Sequence, residues 1–157
     1  MFTAQSDMIN IQRSISIQAS PEKVFALIND FHCWKIWSPW EKLDPQMNRS
    51  FSTNPCGQGA SYAWQGKAGT GRMEIMTSSP ASQITIRLEI IKPFEASNEV
   101  EFILQSADQI TVVTWSMYGP KPYLAKLIGI FFSMDKYLGK DLEKGLLNLK
   151  TLAESVR

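Results

Sequence analysis

The chain is predicted to be an α+β protein: a curved antiparallel sheet of about seven strands wraps around a long C-terminal helix, with one or two short helices after the first strand. Three features predict it. Runs of alternating apolar and polar residues recur between residues 9 and 118, each of strand length. From residue 46 onward the connections between runs are too short for helical crossovers, so neighbouring strands run antiparallel. Finally, Leu124, Ile128, Phe131, Leu138, Leu142, Leu146, Leu149 and Ala153 recur at helical spacing, making one apolar stripe that needs a sheet to lie against.

In chain order, Ile9, Ile11, Ile15 and Ile17 alternate with Asn10, Gln12, Ser14 and Ser16 to make a first strand with one buried face. Arg13 falls on that buried face. Ser20, Pro21 and Glu22 are an N-cap, a first-turn proline and a first-turn acid, which start a helix at Pro21. Val24, Phe25, Leu27, Ile28 and Phe31 supply its apolar face, and it should end near residues 30–32. Residues 31–40 hold three of the five tryptophans. There Pro39 disfavours the helical region for Ser38, so any helical turn is short.

A second strand is expected over residues 46–53, before the turn signals Asn54, Pro55 and Gly57. Ala60, Tyr62 and Trp64 share one face of a third strand. Gly69 and Gly71 allow a tight connection into a fourth, residues 72–78, with Met73 and Ile75 inward. Ile84, Ile86, Leu88 and Ile90 mark the fifth, and Val100, Phe102 and Leu104 the sixth. After a turn at Ala107 and Asp108, residues 110–118 form the seventh. The C-terminal stripe carries one anomaly, Asp135 between Phe131 and Leu138. A buried carboxylate is costly there unless paired. A break at Ser133 removes the difficulty, giving an apolar segment over residues 122–132 and a main helix from Met134. Gly139 and Gly145 would let that helix approach the sheet closely.

The 157 residues suit one domain, residues 1–157, with a sizeable core. The 16 basic and 15 acidic side chains nearly cancel and form no run, which disfavours nucleic acid and polybasic membrane binding. Cys33 and Cys56 have no CxxC spacing and His32 has no ligand partner at helical spacing. No metal and no other cofactor is expected. Nothing near Met1 resembles an export signal, and no apolar run reaches the ~18 residues of a membrane span. A cytoplasmic protein with reduced thiols is the expectation.

The residues from Ile15 through Ala19, Ser20, Pro21, Glu22 and Phe25, the tryptophan-rich segment Asp30 to Trp40, the Val113, Thr114, Trp115 strand, and Met134, Asp135, Lys136 with Gly139 to Leu146 and Asn148 to Lys150 resemble the polyketide cyclase and dehydrase-like branch of the START and pollen-allergen (SRPBCC) superfamily. The resemblance covers nearly the whole chain. It implies a helix-grip domain with a cavity between sheet and C-terminal helix, which relatives use for lipids, sterols, polyketides or plant metabolites.

No conventional catalytic arrangement is visible. His32 has no placed nucleophile, and Cys33, its neighbour in sequence, does not face it on a helix. Cavity candidates are Tyr62, Trp64, Met73, Ile75, Leu88, Phe102 and Trp115 on inward strand faces, Trp37, Trp40 and Phe131 at the rim, and Met134 and Leu138 on the helix. The competing reading is that the inward residues simply fill a core. Arg13 is either an anchor for an acidic ligand group or a snorkelling or bulged residue. The expected function is binding of an apolar or amphipathic small molecule. One alternative is a cyclase or dehydratase drawing on Arg13, Tyr62 or Glu74, although Glu74 is expected to face solvent. Another is an interaction module using residues 123–134, with a homodimer as one outcome.

Overall fold

A computed structural model describes residues 8–39, 41, 46–67, 69–92, 95–120 and 139–155. The chain runs β1 (Met8–Ile17), α1 (Pro21–Asn29), α2 (Phe31–Trp37), β2 (Asn48–Phe51), β3 (Ser61–Gly66), β4 (Gly69–Ser79), β5 (Gln83–Lys92), β6 (Ala96–Ala107), β7 (Ile110–Pro120) and α3 (Gly139–Ser155). The strands form one antiparallel sheet in the order β1-β7-β6-β5-β4-β3-β2. From β2 to β7 each strand pairs with its neighbour in sequence. Only β1 crosses over, to pair with β7. Register shifts in β4 between Thr70 and Gly71 and between Ile75 and Thr77 bend the sheet, as bulges do.

The first helix is built as its sequence demands. Ser20 is the N-cap and its hydroxyl accepts from the Lys23 N–H, with Pro21 following in the first turn. Val24 and Ile28 are buried on its inner face. Asp30 ends α1 in an extended conformation and at once caps α2, accepting from the His32 N–H at 2.9 Å.

The second helix is short, as Pro39 suggested. Seven residues are helical, and the proline acts only on Ser38, whose extended φ of −64° and ψ of 133° end the helix. Phe31, Trp34 and Trp37 are all buried. The Trp34 indole N–H donates to the Ile28 carbonyl at 2.8 Å and the Trp37 N–H to the Leu27 carbonyl at 3.0 Å. Two end-of-helix carbonyls of α1, which helix geometry leaves without intrahelical donors, are satisfied in this way.

The described part of the C-terminal helix buries Leu142, Leu146, Leu149 and Ala153 on one face, the stripe read from the sequence. It runs alongside β1, where Lys150 donates to the Ser16 carbonyl and the Gln18 N–H donates to Glu154. Gly145 brings it close to the sheet: a Cβ there would stand 2.7 Å from the Trp115 ring and 2.9 Å from the Pro39 ring. The proposed break at Ser133, with Asp135 after it, lies outside the described residues. β2 is shorter than expected, four residues rather than residues 46–53. At the β6–β7 turn Asp108 takes a φ of +59°, a left-handed conformation that aspartate tolerates better than most residues.

Candidate functional site

Strand register sorts the concave face into rows. The first runs Ile84, Phe102, Trp115, Arg13, and the second Ile75, Ile86, Val100, Met117, Ile11. The third runs Phe51, Tyr62, Met73, Leu88, Asn98, and the fourth Arg49, Trp64, Gly71, Ile90, Ala96. The apolar members of the first row, Ile84, Phe102 and Trp115, are sealed. Trp34 and Trp37 drop onto it from α2, with ring centroids 5.9 and 6.0 Å from Phe102 and 6.4 and 5.6 Å from Trp115. Edge-on contacts of this kind pack as a solid aromatic core.

Exposure rises away from that plug. Ile84, Phe102 and Trp115 are 0% exposed, whereas Met73 and Leu88 in the third row are 7% and 6% exposed. In the fourth row Trp64 and Ile90 are only partly buried. The end of the face where β3 to β6 carry Tyr62, Trp64, Met73, Leu88 and Asn98 is thus the less completely buried one among the described residues.

Polar groups at three places on this face, among the described residues, bear on its chemistry. At the β2–β3 edge, Glu41 is buried and accepts from the Tyr62 hydroxyl at 2.5 Å and from Arg49 Nε at 2.7 Å. Burial, followed by this contact with Glu41, pushes the Tyr62 phenol well above the usual tyrosine range. Tyr62 therefore remains a proton donor. The rings of Tyr62 and Phe51 stack at 5.0 Å and those of Phe51 and His32 at 4.1 Å, so His32 caps an aromatic column at the surface.

Arg13 occupies the second place. It reaches past Gly139, where a Cβ would collide with its guanidinium, and pairs with Glu143 at 2.8 Å. The third place is Asn98, 2% exposed, whose amide oxygen and nitrogen both lack a hydrogen-bond partner. Its side chain lies over Gly119, and a Cβ on that glycine would overlap the amide oxygen. Leaving such a group unpaired costs about 1–3 kcal/mol.

Of the residues singled out from the sequence, Tyr62, Met73 and Leu88 share the third row and Trp64 stands in the fourth. Ile75 lies in the second row, while Phe102 and Trp115 belong to the sealed part of the first row. Trp37, expected at the rim, is instead wholly buried. Its indole points inward because α2 folds back on α1 and offers it a carbonyl. Trp40, Phe131, Met134 and Leu138 lie outside the described residues. Glu74 is half-buried and pairs with Arg72 at 3.5 Å.

Sequence reasoning missed Glu41, Arg49 and Asn98. Asn98 has the same strand parity as Val100, Phe102 and Leu104, a signal that becomes readable once β6 is extended back to Ala96. Glu41 and Arg49 had no such signal, since the pairing of β2 with β3 brings them to Tyr62.

Burial and then the Asp30 carboxylate raise both cysteine thiols, so neither is primed as a nucleophile. A cleft of about 270 Å³ lies on the far end of the sheet, between Ala19 to Pro21 and the β6–β7 turn. It has no part in the concave face. Among the described residues, no helix is long and apolar enough to cross a membrane.

A seven-stranded antiparallel sheet gripping a C-terminal helix defines the START-like helix-grip class. The chain belongs to the polyketide cyclase/dehydrase and lipid transport family of that SRPBCC superfamily, whose model matches residues 8–154. No curated protein matches it. Similar solved structures include protein MLL2253 from Mesorhizobium loti, at 15% identity and a TM-score of 0.67, covering 95% of this chain and 99% of that one. Ara h 8.0201 matches at 12% identity and a TM-score of 0.63, covering 95% and 99%. The Aha1 dimer from Colwellia psychrerythraea matches at 16% and 0.58, covering 94% and 95%. At these identities the likeness is one of fold.

Proposed function

We propose that this protein binds an apolar or amphipathic small molecule against the third and fourth rows of its concave face. The observation that carries the reading is a contrast along the face: Phe102 and Trp115 are wholly buried against Trp34 and Trp37, whereas Met73 and Leu88 keep a small exposed area and Trp64 and Ile90 are only partly buried. An aromatic and methionine wall with a few fixed polar groups suits a flat or flexible apolar ligand. Membership of a family described by polyketide chemistry and lipid transport supports the same class. Native mass spectrometry of protein purified from its own host, with titration of the fluorescent probe anilinonaphthalene sulfonate, tests it. A co-purifying apolar mass or saturable probe binding weakened by Met73→Asp or Leu88→Asp is expected. Protein that carries nothing, and binds the probe no differently after either substitution, refutes it.

A cyclase or dehydratase reading is favoured by one feature, the Tyr62 hydroxyl held beside Glu41 at the end of the third row. The neutral phenol can donate a hydrogen bond to a developing oxyanion, whereas its raised pKa makes it a weak general acid. Tyr62→Phe would then abolish turnover of a polyketone substrate while leaving its binding within about threefold, a change of under 1 kcal/mol. Equal loss of both points to binding alone.

A further inference from the structure

Asn98 is the one buried side chain among the described residues with a whole unpartnered amide. Neighbouring strands flank it with Leu88 and with Gly119, which has no side chain to offer. Its strand neighbours on the same face are Ala96 and Val100, both buried and apolar. None of these described neighbours can pair with the amide. Native interiors satisfy nearly all buried polar atoms, so an exception of this kind calls for a partner from outside the chain.

The chemistry of that partner follows from the amide. Whichever way the group is turned, it presents one acceptor and one N–H donor side by side in a plane. The complement is an edge with adjacent donor and acceptor, which closes two hydrogen bonds at once. The edge is also uncharged. Arg13, the one cation among the register partners of the first three rows, lies two rows away, about 13 Å along the strand direction by strand geometry, and is engaged with Glu143. A carboxylate or ammonium beside Leu88 and Gly119 would be buried without a counter-charge.

We propose that Asn98 is the recognition group of the concave face, and that the ligand is an apolar molecule bearing a neutral donor–acceptor edge, such as a lactam, a carboxamide or a hydroxy-ketone. The proposal rests on the small-molecule reading above and specifies its ligand. Gly119 serves the same end, since any larger residue would push the amide from its place.

Two probes of nearly equal shape test it, phenanthridinone with a lactam edge and phenanthrene with none, titrated into the full chain by tryptophan fluorescence. Asn98→Leu, close in size, should weaken phenanthridinone binding by about tenfold or more, the loss of two neutral hydrogen bonds. Phenanthrene affinity should hold or improve. The leucine variant should also melt no lower than the wild type, because it removes an unpaired amide.

Asn98→Ala, which cannot overpack against Gly119, repeats the titration should the leucine variant fold poorly. Selective loss of the lactam in either folded variant establishes the role. Parallel changes for both probes, or none, overturn it and leave the binding reading standing. Wild-type protein that takes up neither probe overturns both.

Discussion

Replacing Arg49 by methionine removes the cation from a buried carboxylate while keeping most of the aliphatic stem. Glu41 is 7% exposed and its carboxylate accepts from Arg49 Nε at 2.7 Å and from Tyr62 at 2.5 Å, while Arg49 also reaches the Glu41 carbonyl at 3.4 Å. Breaking a fully buried pair costs about 3–5 kcal/mol, because the remaining charge is stranded. The Arg49 side chain is 21% exposed, so water screens part of the loss and about 2–4 kcal/mol is expected. For a chain of 157 residues each kcal/mol moves the melting midpoint by about 2–4 °C. Arg49→Met should therefore melt roughly 4–16 °C lower.

The double variant Glu41→Gln/Arg49→Met, which leaves no stranded charge, should recover part of that loss. A coupling of about 1–3 kcal/mol between the two sites is expected from a double-mutant cycle read by urea denaturation. Additive effects, or a midpoint within 2 °C of wild type for Arg49→Met by the same conversion, would refute the view that this pair ties residue 41 to the β2–β3 edge.

Gly145→Ala sets two opposed effects against each other: a gain of about 1 kcal/mol in helix propensity and about 1–3 kcal/mol of overpacking against the Trp115 and Pro39 rings. The rings should win, lowering the thermal midpoint by a few degrees, and a raised midpoint would contradict the contact. Alkaline stability should follow the tyrosines. Tyr118 is pushed up to about 12, first by burial and then by Glu99, while an unfolded phenol titrates near 10. Between those values the unfolded chain has released a proton that the folded chain keeps. Stability is therefore full below pH ~10 and falls as pH rises toward ~12. Urea midpoints across that range should fall less steeply for Tyr118→Phe, and equal slopes would exclude the linkage.

Much of the fold was legible because its signals are local. Ser20 and Pro21 start α1 by satisfying and tolerating first-turn N–H groups, whatever lies elsewhere. The parity of Ile84, Ile86 and Leu88 assigns a strand face from two-residue periodicity, and Leu142, Leu146, Leu149 and Ala153 do the same for a helix. Gly145 in that stripe announced a close approach. The family resemblance added the architecture that joins these pieces.

Less of the site was legible. Parity places a side chain on the inner face but does not say what stands above it. Trp115 and Tyr62 read alike from the sequence, yet one lies beneath Trp34 and Trp37 and the other donates to Glu41. Those two tryptophans decide the matter, because α2 folds back onto α1, where the Leu27 and Ile28 carbonyls accept the indole N–H groups. Likewise Asn98 is unpaired only because Leu88 and Gly119 flank it, a consequence of strand register across three strands.

The sequence by itself determined the order of the elements and the inward face of each, since both follow from spacing along the chain. The tertiary structure alone decided which inward residues lie against α2 and which lie in the rows beyond it. That division depends on which helix covers which row, and covering is a relation between residues far apart in the chain.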